Sequence, residues 1–177
     1  MRKTIFTIFT IFTAMSFLGQ DISASFERNN EGFYTFASGD LEVDHENSTD
    51  EFAVGNKSME LFVLNNGSGN LQFLCKKFVV TAGESYSVKF QIKSNQERKI
   101  KGKSQFALEN KKVKVVMVNP AFQIGKEWKT VEFTVDVPAD FNGVAPKLMN
   151  VGFIETKISN AKGLSYFIDD FQIQAIQ

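Results

Sequence analysis

From residue 20 onward, apolar and polar side chains alternate with a period of two through most of the sequence. The clearest example is the segment 85–92, whose apolar positions are Tyr86, Val88, Phe90 and Ile92. Its polar positions are Ser85, Ser87, Lys89 and Gln91. Successive side chains of a β-strand point to opposite faces, so this pattern is typical of strands with one buried face. The segment 130–137 repeats it.

Further segments with strand character lie along the rest of the chain, at 41–45, 58–64, 70–80, 113–118, 148–154 and 166–173. Turn sequences containing Asn or Gly separate many of them, such as 65–67, 82–84, 142–143 and 161–163. No segment after residue 19 sustains the apolar spacing of an amphipathic helix. Many strands joined by short turns predict an all-β fold, an antiparallel two-sheet sandwich or a barrel, in a single domain over residues 20–177.

The first nineteen residues have the pattern of an export signal. Arg2 and Lys3 precede an uncharged, largely apolar stretch over 4–18 that is too short for a comfortable membrane span. Cleavage after Gly19 is the favoured site, and cleavage after Ala24 is the alternative. We therefore expect a secreted protein, extracellular or periplasmic. The other interpretation is an uncleaved anchor.

Removal of residues 1–19 leaves 158 residues, enough for one domain with a substantial core. Arg2 and Lys3 are removed with the signal, which leaves 18 basic and 20 acidic side chains and a net charge of about −2. This weak charge argues against a duplex nucleic-acid binder, and no second apolar run predicts membrane insertion. Cys75 is the single cysteine, which excludes an internal disulfide. We expect a monomer.

Two stretches of the chain are biased in charge. The basic stretch comprises Arg98, Lys99, Lys101, Lys103, Lys111, Lys112 and Lys114. The acidic stretch comprises Asp40, Glu42, Asp44, Glu46, Asp50 and Glu51. The simpler interpretation is two solvated strand faces, with lysines that protect an exposed sheet edge. The functional interpretation is a basic groove for an anionic polymer.

None of the common catalytic motifs occurs in the sequence: GxSxG, HExxH, the P-loop and GxGxxG are all absent. The single histidine, His45, shares a strand face with Leu41 and Val43 and is predicted to be packed or partly buried. Cys75 shares a face with apolar residues and is predicted to be a small core residue. The sequence therefore predicts no catalytic residues and a protein that is not an enzyme.

One carboxylate stands out in the last predicted strand. With regular alternation, Asp169 falls on the face of Phe167, Phe171 and Ile173. An ionised carboxylate on a core face is costly unless it is paired or bound to a cation. Glu27 opens the first strand region, so the two acids meet if the terminal strands are neighbours. Their oxygens suit Ca²⁺ better than Zn²⁺; the alternative is that Asp169 caps a turn or pairs with a lysine.

Five short sequences occur in an order that carries a family resemblance. They are FE at 26–27, GNKSMEL at 55–61, VTAGESYSV at 80–88, EWKTVEF at 127–133 and YFIDD at 166–170. Each is weak alone, but together they span nearly all of the chain after the signal. The chain resembles a carbohydrate-binding module of the CenC type, which has the galactose-binding-like jelly-roll fold.

The resemblance implies a structural Ca²⁺ held by Glu27 and Asp169, with backbone carbonyls near Asn56 and Lys57 as further ligands. It also implies a polysaccharide groove on one sheet, in which aromatic rings stack on sugars. Many relatives have a tryptophan soon after the FE pair, where this sequence has Phe33, Tyr34 and Phe36 instead. Tyr34 is then the best candidate for stacking, and Phe33 or Phe36 is predicted to assist it. The remaining groove candidates are Gln72 and Gln91, whereas Trp128 matches a later family tryptophan that packs structurally.

The resemblance thus favours a secreted, non-catalytic module that recognises a polysaccharide through a groove on one sheet. Such a module would work with separately encoded carbohydrate-active enzymes. A structural or protein-interaction sandwich in a surface or adhesion assembly is the alternative. A secreted glycoside hydrolase or lyase on a jelly roll is a third interpretation, which needs two acids facing each other across a cleft.

Overall fold

The computed structural model describes residues 21–108 and 111–176. For residues 111–115 it describes the backbone only. The predicted signal segment lies outside the described residues. The described chain folds into twelve strands without a helix, and so contains no helical segment able to cross a membrane. The strands are β1 Ile22–Ala24, β2 Phe33–Ala37, β3 Val43–Ser48, β4 Ser58–Val63, β5 Gly69–Cys75, β6 Phe78–Val79, β7 Ser85–Ser94, β8 Arg98–Leu108, β9 Lys111–Ile124, β10 Lys129–Asp136, β11 Pro146–Ile158 and β12 Ser165–Ile176.

Two antiparallel sheets form the sandwich. Sheet A has the order β10-β7-β12-β4-β3, with β1 paired to β12. Sheet B has the order β2-β5-β11-β8-β9, with β6 paired to β11. The prediction of an all-β, two-sheet jelly-roll sandwich is confirmed. Since β1 pairs with β12, the terminal strands are neighbours, and cleavage after Ala24 would remove β1 together with its buried alanine.

Phenylalanine rings from both sheets meet in the core. Sheet B contributes Phe33, Phe73 and Phe153, and sheet A contributes Phe90 and Phe171. The centroids of Phe90 and Phe171 are 4.9 Å apart, and those of Phe33 and Phe171 are 4.7 Å apart. Such pairs add about 0.5–1.5 kcal/mol each beyond the area they bury. This cluster accounts for part of the unusual phenylalanine content. It also shows that Phe33 is a core residue and does not assist Tyr34 at the surface.

Strand β12 departs from regular alternation at Asp170, whose φ of 46° is left-handed. The register with β7 shifts between Asp169 and Gln172. Before this bulge Asp169 pairs with Gln91, on the outer face of sheet A; after it, Ile173 pairs with Val88, on the core side. The prediction that Asp169 shares the core face of Phe171 and Ile173 is therefore wrong. Asp169 is nevertheless fully buried, because the loop 51–57 covers it.

Other strand predictions need smaller changes. The predicted strand 70–80 is interrupted at Lys76 and Lys77, which separate β5 from β6. Strand β9 extends beyond the predicted segment and contains Pro120, which an edge strand tolerates at an irregular position. Cys75 is 1% exposed in the core and His45 is half-buried, as predicted.

Candidate functional site

The outer face of sheet B collects side chains from five strands. One row across the sheet contains Tyr34, Leu74, Gly152, Lys103 and Val118. The next row contains Phe36, Gln72, Ile154, Lys101 and Ala121. The register of antiparallel strands brings these residues together from positions far apart in the sequence.

The edges and the centre of this face differ in exposure. On β2, Tyr34 is 40% and Phe36 is 53% exposed, and on β9 Val116 and Val118 are also exposed. Between them, Asn150 on β11 is 1% exposed and lies at the base. The face therefore has aromatic and apolar rims around a less exposed floor that contains both polar and apolar side chains. Such a surface offers ring faces for stacking and amides for hydrogen bonds.

Hydrogen bonds fix the side chains of the floor. The amide of Asn150 donates from Nδ2 to the Tyr34 hydroxyl over 2.5 Å, while Asn150 Oδ1 is buried with no hydrogen-bond partner in the described chain. Burial raises the pKa of Tyr34, so the phenol stays protonated at neutral pH. Lys103 donates from Nζ to Gln72 Oε1. An unpaired buried acceptor such as Asn150 Oδ1 favours a ligand that donates a hydrogen bond.

Three of the four predicted sugar-binding residues lie together on the outer face of sheet B: Tyr34, Phe36 and Gln72. Gln91 does not join them, because it lies on β7 of sheet A and bonds to Thr130 over 3.0 Å. Gln91 therefore cannot line a groove that contains Tyr34. Asn150 was missed from the sequence. Its only signal is that it is a polar residue inside a mostly apolar strand.

Trp128 lies at the outer surface of sheet A. The ammonium of Lys93 is 5.9 Å from the centroid of the Trp128 ring and 5.7 Å from that of Phe167. Lys93 also forms an ion pair with Glu51 at 2.7 Å. The ion pair fastens the loop that begins at Glu51 onto sheet A, and the Trp128 ring contacts the same lysine.

A pocket of about 380 Å³ extends the outer face of sheet B at one end. Its lining residues are Glu97, Arg98, Lys99, Lys101, Gln123, Ile154, Glu155 and Thr156. Below it, Glu155 is buried and accepts hydrogen bonds from Arg98 and from the Tyr166 hydroxyl. Burial lowers the pKa of Arg98, but the hydrogen bond and the charge of Glu155 outweigh this and raise it. Arg98 therefore stays charged, and its ion pair with Glu155 ties β8 to β11.

A second cluster joins the two acids predicted to bind metal. Glu27 Oε1 accepts the backbone N–H groups of Asn56 at 2.7 Å and Lys57 at 3.3 Å. Asp169 Oδ2 accepts those of Ala53 at 2.9 Å and Val54 at 2.8 Å. Both carboxylates are therefore bound by one short loop. Burial raises the pKa of Asp169, and these hydrogen bonds partly offset the shift.

This cluster fits a hard cation in the type of its ligands. Carboxylate oxygens are suitable, but Asn56 and Lys57 turn amide N–H groups toward Glu27, so carbonyls would have to come from elsewhere in the loop. Within the described ranges, no group of three or more His, Cys, Asp or Glu residues could hold a metal. The two acids alone supply fewer ligands than the six to eight oxygens that Ca²⁺ takes.

Several solved structures with the same fold are, or contain, carbohydrate-binding modules. The xylan-binding domain CBM22-1 of Paenibacillus barcinonensis Xyn10C is 17% identical, with a TM-score of 0.60, over 90% of this chain and 97% of that one. The CBM22-1–GH10 modules of Clostridium thermocellum Xyn10B are 13% identical, with a TM-score of 0.66, over 88% of this chain and 28% of that one. The C-terminal family 22 module of the same xylanase has a TM-score of 0.61 at 12% identity, over 86% of this chain and 91% of that one. At such identities the likeness shows the fold alone.

Sequence similarity identifies the family to which the chain belongs. No curated protein is significantly similar to this chain. The family model described as "Carbohydrate binding domain" matches residues 22–148, which cover most of the chain and include β1 to β10. The chain therefore belongs to the carbohydrate binding domain family.

Proposed function

We propose that the protein is a secreted, non-catalytic module that binds a polysaccharide on the outer face of sheet B. The observation that carries this proposal is the pair of exposed rings, Tyr34 and Phe36, beside a floor that contains the amides of Asn150 and Gln72. Aromatic rings exposed beside buried amides suit sugars, whose apolar ring faces stack and whose hydroxyls form hydrogen bonds. Membership of the carbohydrate binding domain family supports the same conclusion.

Asn150 and Gln72 are the floor residues suited to orient the sugar. A sugar hydroxyl that donates to Asn150 Oδ1 would satisfy a buried acceptor, which gives the site a preference for a correctly placed hydroxyl. Tyr34 would contribute its ring to stacking while its hydroxyl stays bonded to Asn150. The mechanism is binding without bond cleavage.

The charges of the face support a non-catalytic role. Glycoside hydrolysis uses two carboxyl groups about 5–10 Å apart across the scissile bond. Among the described side chains that point outward from β2, β5, β8 and β11, none is a carboxylate. Glu155 is turned into the sandwich, and Glu97 lies at the far end of the face.

Xylan is the first ligand to test, because one similar structure is a xylan-binding domain and another holds xylohexaose. We would titrate the protein with xylan, soluble β-glucans and acidic polysaccharides by calorimetry. Saturable binding that is lost in Tyr34→Ala and retained in Gln91→Ala supports the proposal, since Gln91 lies on the opposite sheet. Absence of binding to every glycan, with both variants folded, would favour a structural or protein-interaction role.

We propose further that Glu27 and Asp169 hold a structural Ca²⁺. The ion would neutralise two acids that share one loop and so stabilise the contact between the terminal regions of the chain. Addition of Ca²⁺ should raise the melting temperature of the protein, and Mg²⁺ should raise it less. The shift should vanish in Asp169→Asn. A melting temperature independent of Ca²⁺ in the EDTA-treated protein would remove the metal from the proposal and leave the glycan site intact.

A further inference from the structure

The charges on the outer face of sheet B narrow the class of polysaccharide. Resting on the proposed function, we infer that the preferred ligand is an anionic polysaccharide bearing uronate carboxylates, which lysines of β8 recognise beside the Tyr34 and Phe36 rings. Lys99, Lys101 and Lys103 occupy alternate positions of β8. Alternate residues of a strand share a face and lie about 6.6–6.8 Å apart, so the three lysines form a line along β8 on this surface.

Two of these lysines lie beside the proposed sugar-binding residues. Lys101 lies in the same cross-strand row as Phe36 and Gln72, and Lys103 lies in the row of Tyr34. Lys103 is only 4% exposed, and its ammonium donates to Gln72 Oε1, one of the floor amides. This bond holds a positive charge within the floor of the proposed site.

Two acids adjoin these lysines, and both line the pocket at one end of the face: Glu97 and Glu155. Glu155, the nearest acid on β11, is buried and paired with Arg98, so its charge is already compensated. Glu97 borders the pocket at one end. The basic residues Arg98, Lys99, Lys101 and Lys103 therefore outnumber the two acids here, although the chain after the predicted signal carries a net charge of about −2.

The pocket at the end of these lysines offers several hydrogen-bond donors to a carboxylate, beside the acids Glu97 and Glu155 in its lining. Lys99 and Lys101 contribute ammonium groups, Gln123 contributes an amide and Thr156 a hydroxyl. Arg98 also lines the pocket, and its Nε is buried with no hydrogen-bond partner among the described residues. A hydrogen bond between a cation and a carboxylate is about twice as strong as one between neutral groups. A uronate has a carboxylate where a neutral hexose has a hydroxymethyl group, so this pocket distinguishes the two.

The test uses glycans that differ only in charge. Glucuronoxylan, polygalacturonate and alginate would each be compared with its carboxyl-reduced form by calorimetry at two salt concentrations. We expect at least one acidic form to bind tenfold or more tightly than its reduced form, with an affinity that falls as salt rises. Lys101→Gln and Lys99→Gln should each weaken that binding about three- to tenfold. Lys89→Gln, which removes an exposed charge from sheet A, should not.

The outcomes separate this inference from the proposed function. Equal affinity for acidic and reduced forms, still sensitive to Tyr34→Ala, would overturn the inference and keep the glycan site. Equal losses in Lys89→Gln and Lys101→Gln would assign the preference to overall charge and overturn it as well. Failure of every acidic and reduced glycan to bind would overturn the proposed function itself.

Discussion

Tyr34 and Asn150 are bonded across an intervening strand. Tyr34 lies on β2 and Asn150 on β11, with β5 between them, and Nδ2 of Asn150 donates to the Tyr34 hydroxyl over 2.5 Å. The phenol ring therefore extends over β5, where its cross-strand neighbour Leu74 is 2% exposed although it points away from the core. One side chain thus seals an apolar position and orients an amide.

Replacement of Tyr34 by Phe separates stacking from hydrogen bonding. The variant keeps the ring but deprives Asn150 of its partner, so we expect a loss of about 1 kcal/mol in unfolding free energy. We also expect glycan affinity to fall by about two- to tenfold, because the amide is no longer oriented. Urea unfolding and calorimetry measure the two effects. An unchanged affinity in this variant, with loss in Tyr34→Ala, would assign the whole contribution to the ring.

Gly55 should resist substitution more than another glycine with a similar backbone. Both Gly55 and Gly143 have left-handed φ values, of 74° and 78°. A Cβ at Gly55 would lie 2.0 Å from Glu27 Oε1, whereas at Gly143 it would meet no atom within 4 Å. Alanine at Gly143 should cost about 1–2 kcal/mol from backbone strain, and at Gly55 about 1–3 kcal/mol more. Equal losses in urea unfolding would mean that Glu27 moves freely out of the way.

The thiol of Cys75 should be inert in the folded protein. Burial raises its pKa from 9.0 to about 12, so at pH 8 about one molecule in ten thousand carries the reactive thiolate. We expect no alkylation by iodoacetamide at pH 8 in buffer, and complete alkylation in denaturant. Rapid labelling of the native protein would show that β5 opens locally.

The same shift makes stability depend on alkaline pH. Between about pH 9 and 12 the unfolded thiol of Cys75 is ionised while the folded one keeps its proton. The unfolded state is then favoured, and stability falls by up to about 1.4 kcal/mol per pH unit as pH rises through this window. The Cys75→Ala variant lacks this contribution. Its unfolding free energy should therefore decline less steeply than that of the parent protein above pH 9, and parallel curves would contradict the assignment.

Arg98 and Glu155 should show strong coupling in stability. The side chain of Glu155 is 6% exposed, so Arg98→Met leaves a buried charge without its partner and should cost about 3–5 kcal/mol. Glu155→Gln in the same background removes that charge and keeps an acceptor for the Tyr166 hydroxyl. The double variant should therefore be more stable than Arg98→Met alone. A double variant whose loss equals the sum of the losses in Arg98→Met and Glu155→Gln would show that the pair is not coupled.

Alternation of side chains predicts the strands of this fold well but does not tell to which sheet a strand belongs. Gln72 and Gln91 look equivalent in the sequence, as polar residues between apolar neighbours. Pairing partners far along the chain place one on each outer face. The prediction that Asp169 shares a face with Phe171 and Ile173 failed for a different reason. Asp170, the next residue, has a left-handed backbone and shifts the alternation of side chains by one position. The burial of Asp169 was predicted correctly, although the covering loop and not the core produces it.

The pairing of β1 with β12 has a mechanical consequence. Ile22 pairs with Ile173 and Ala24 with Phe171, so the beginning of β1 lies beside the C-terminal half of β12. A force that draws the two ends of the domain apart acts on these pairs one after another, as in a zipper, and not on all of them at once. A domain tethered through both ends would therefore release β1 at low tension.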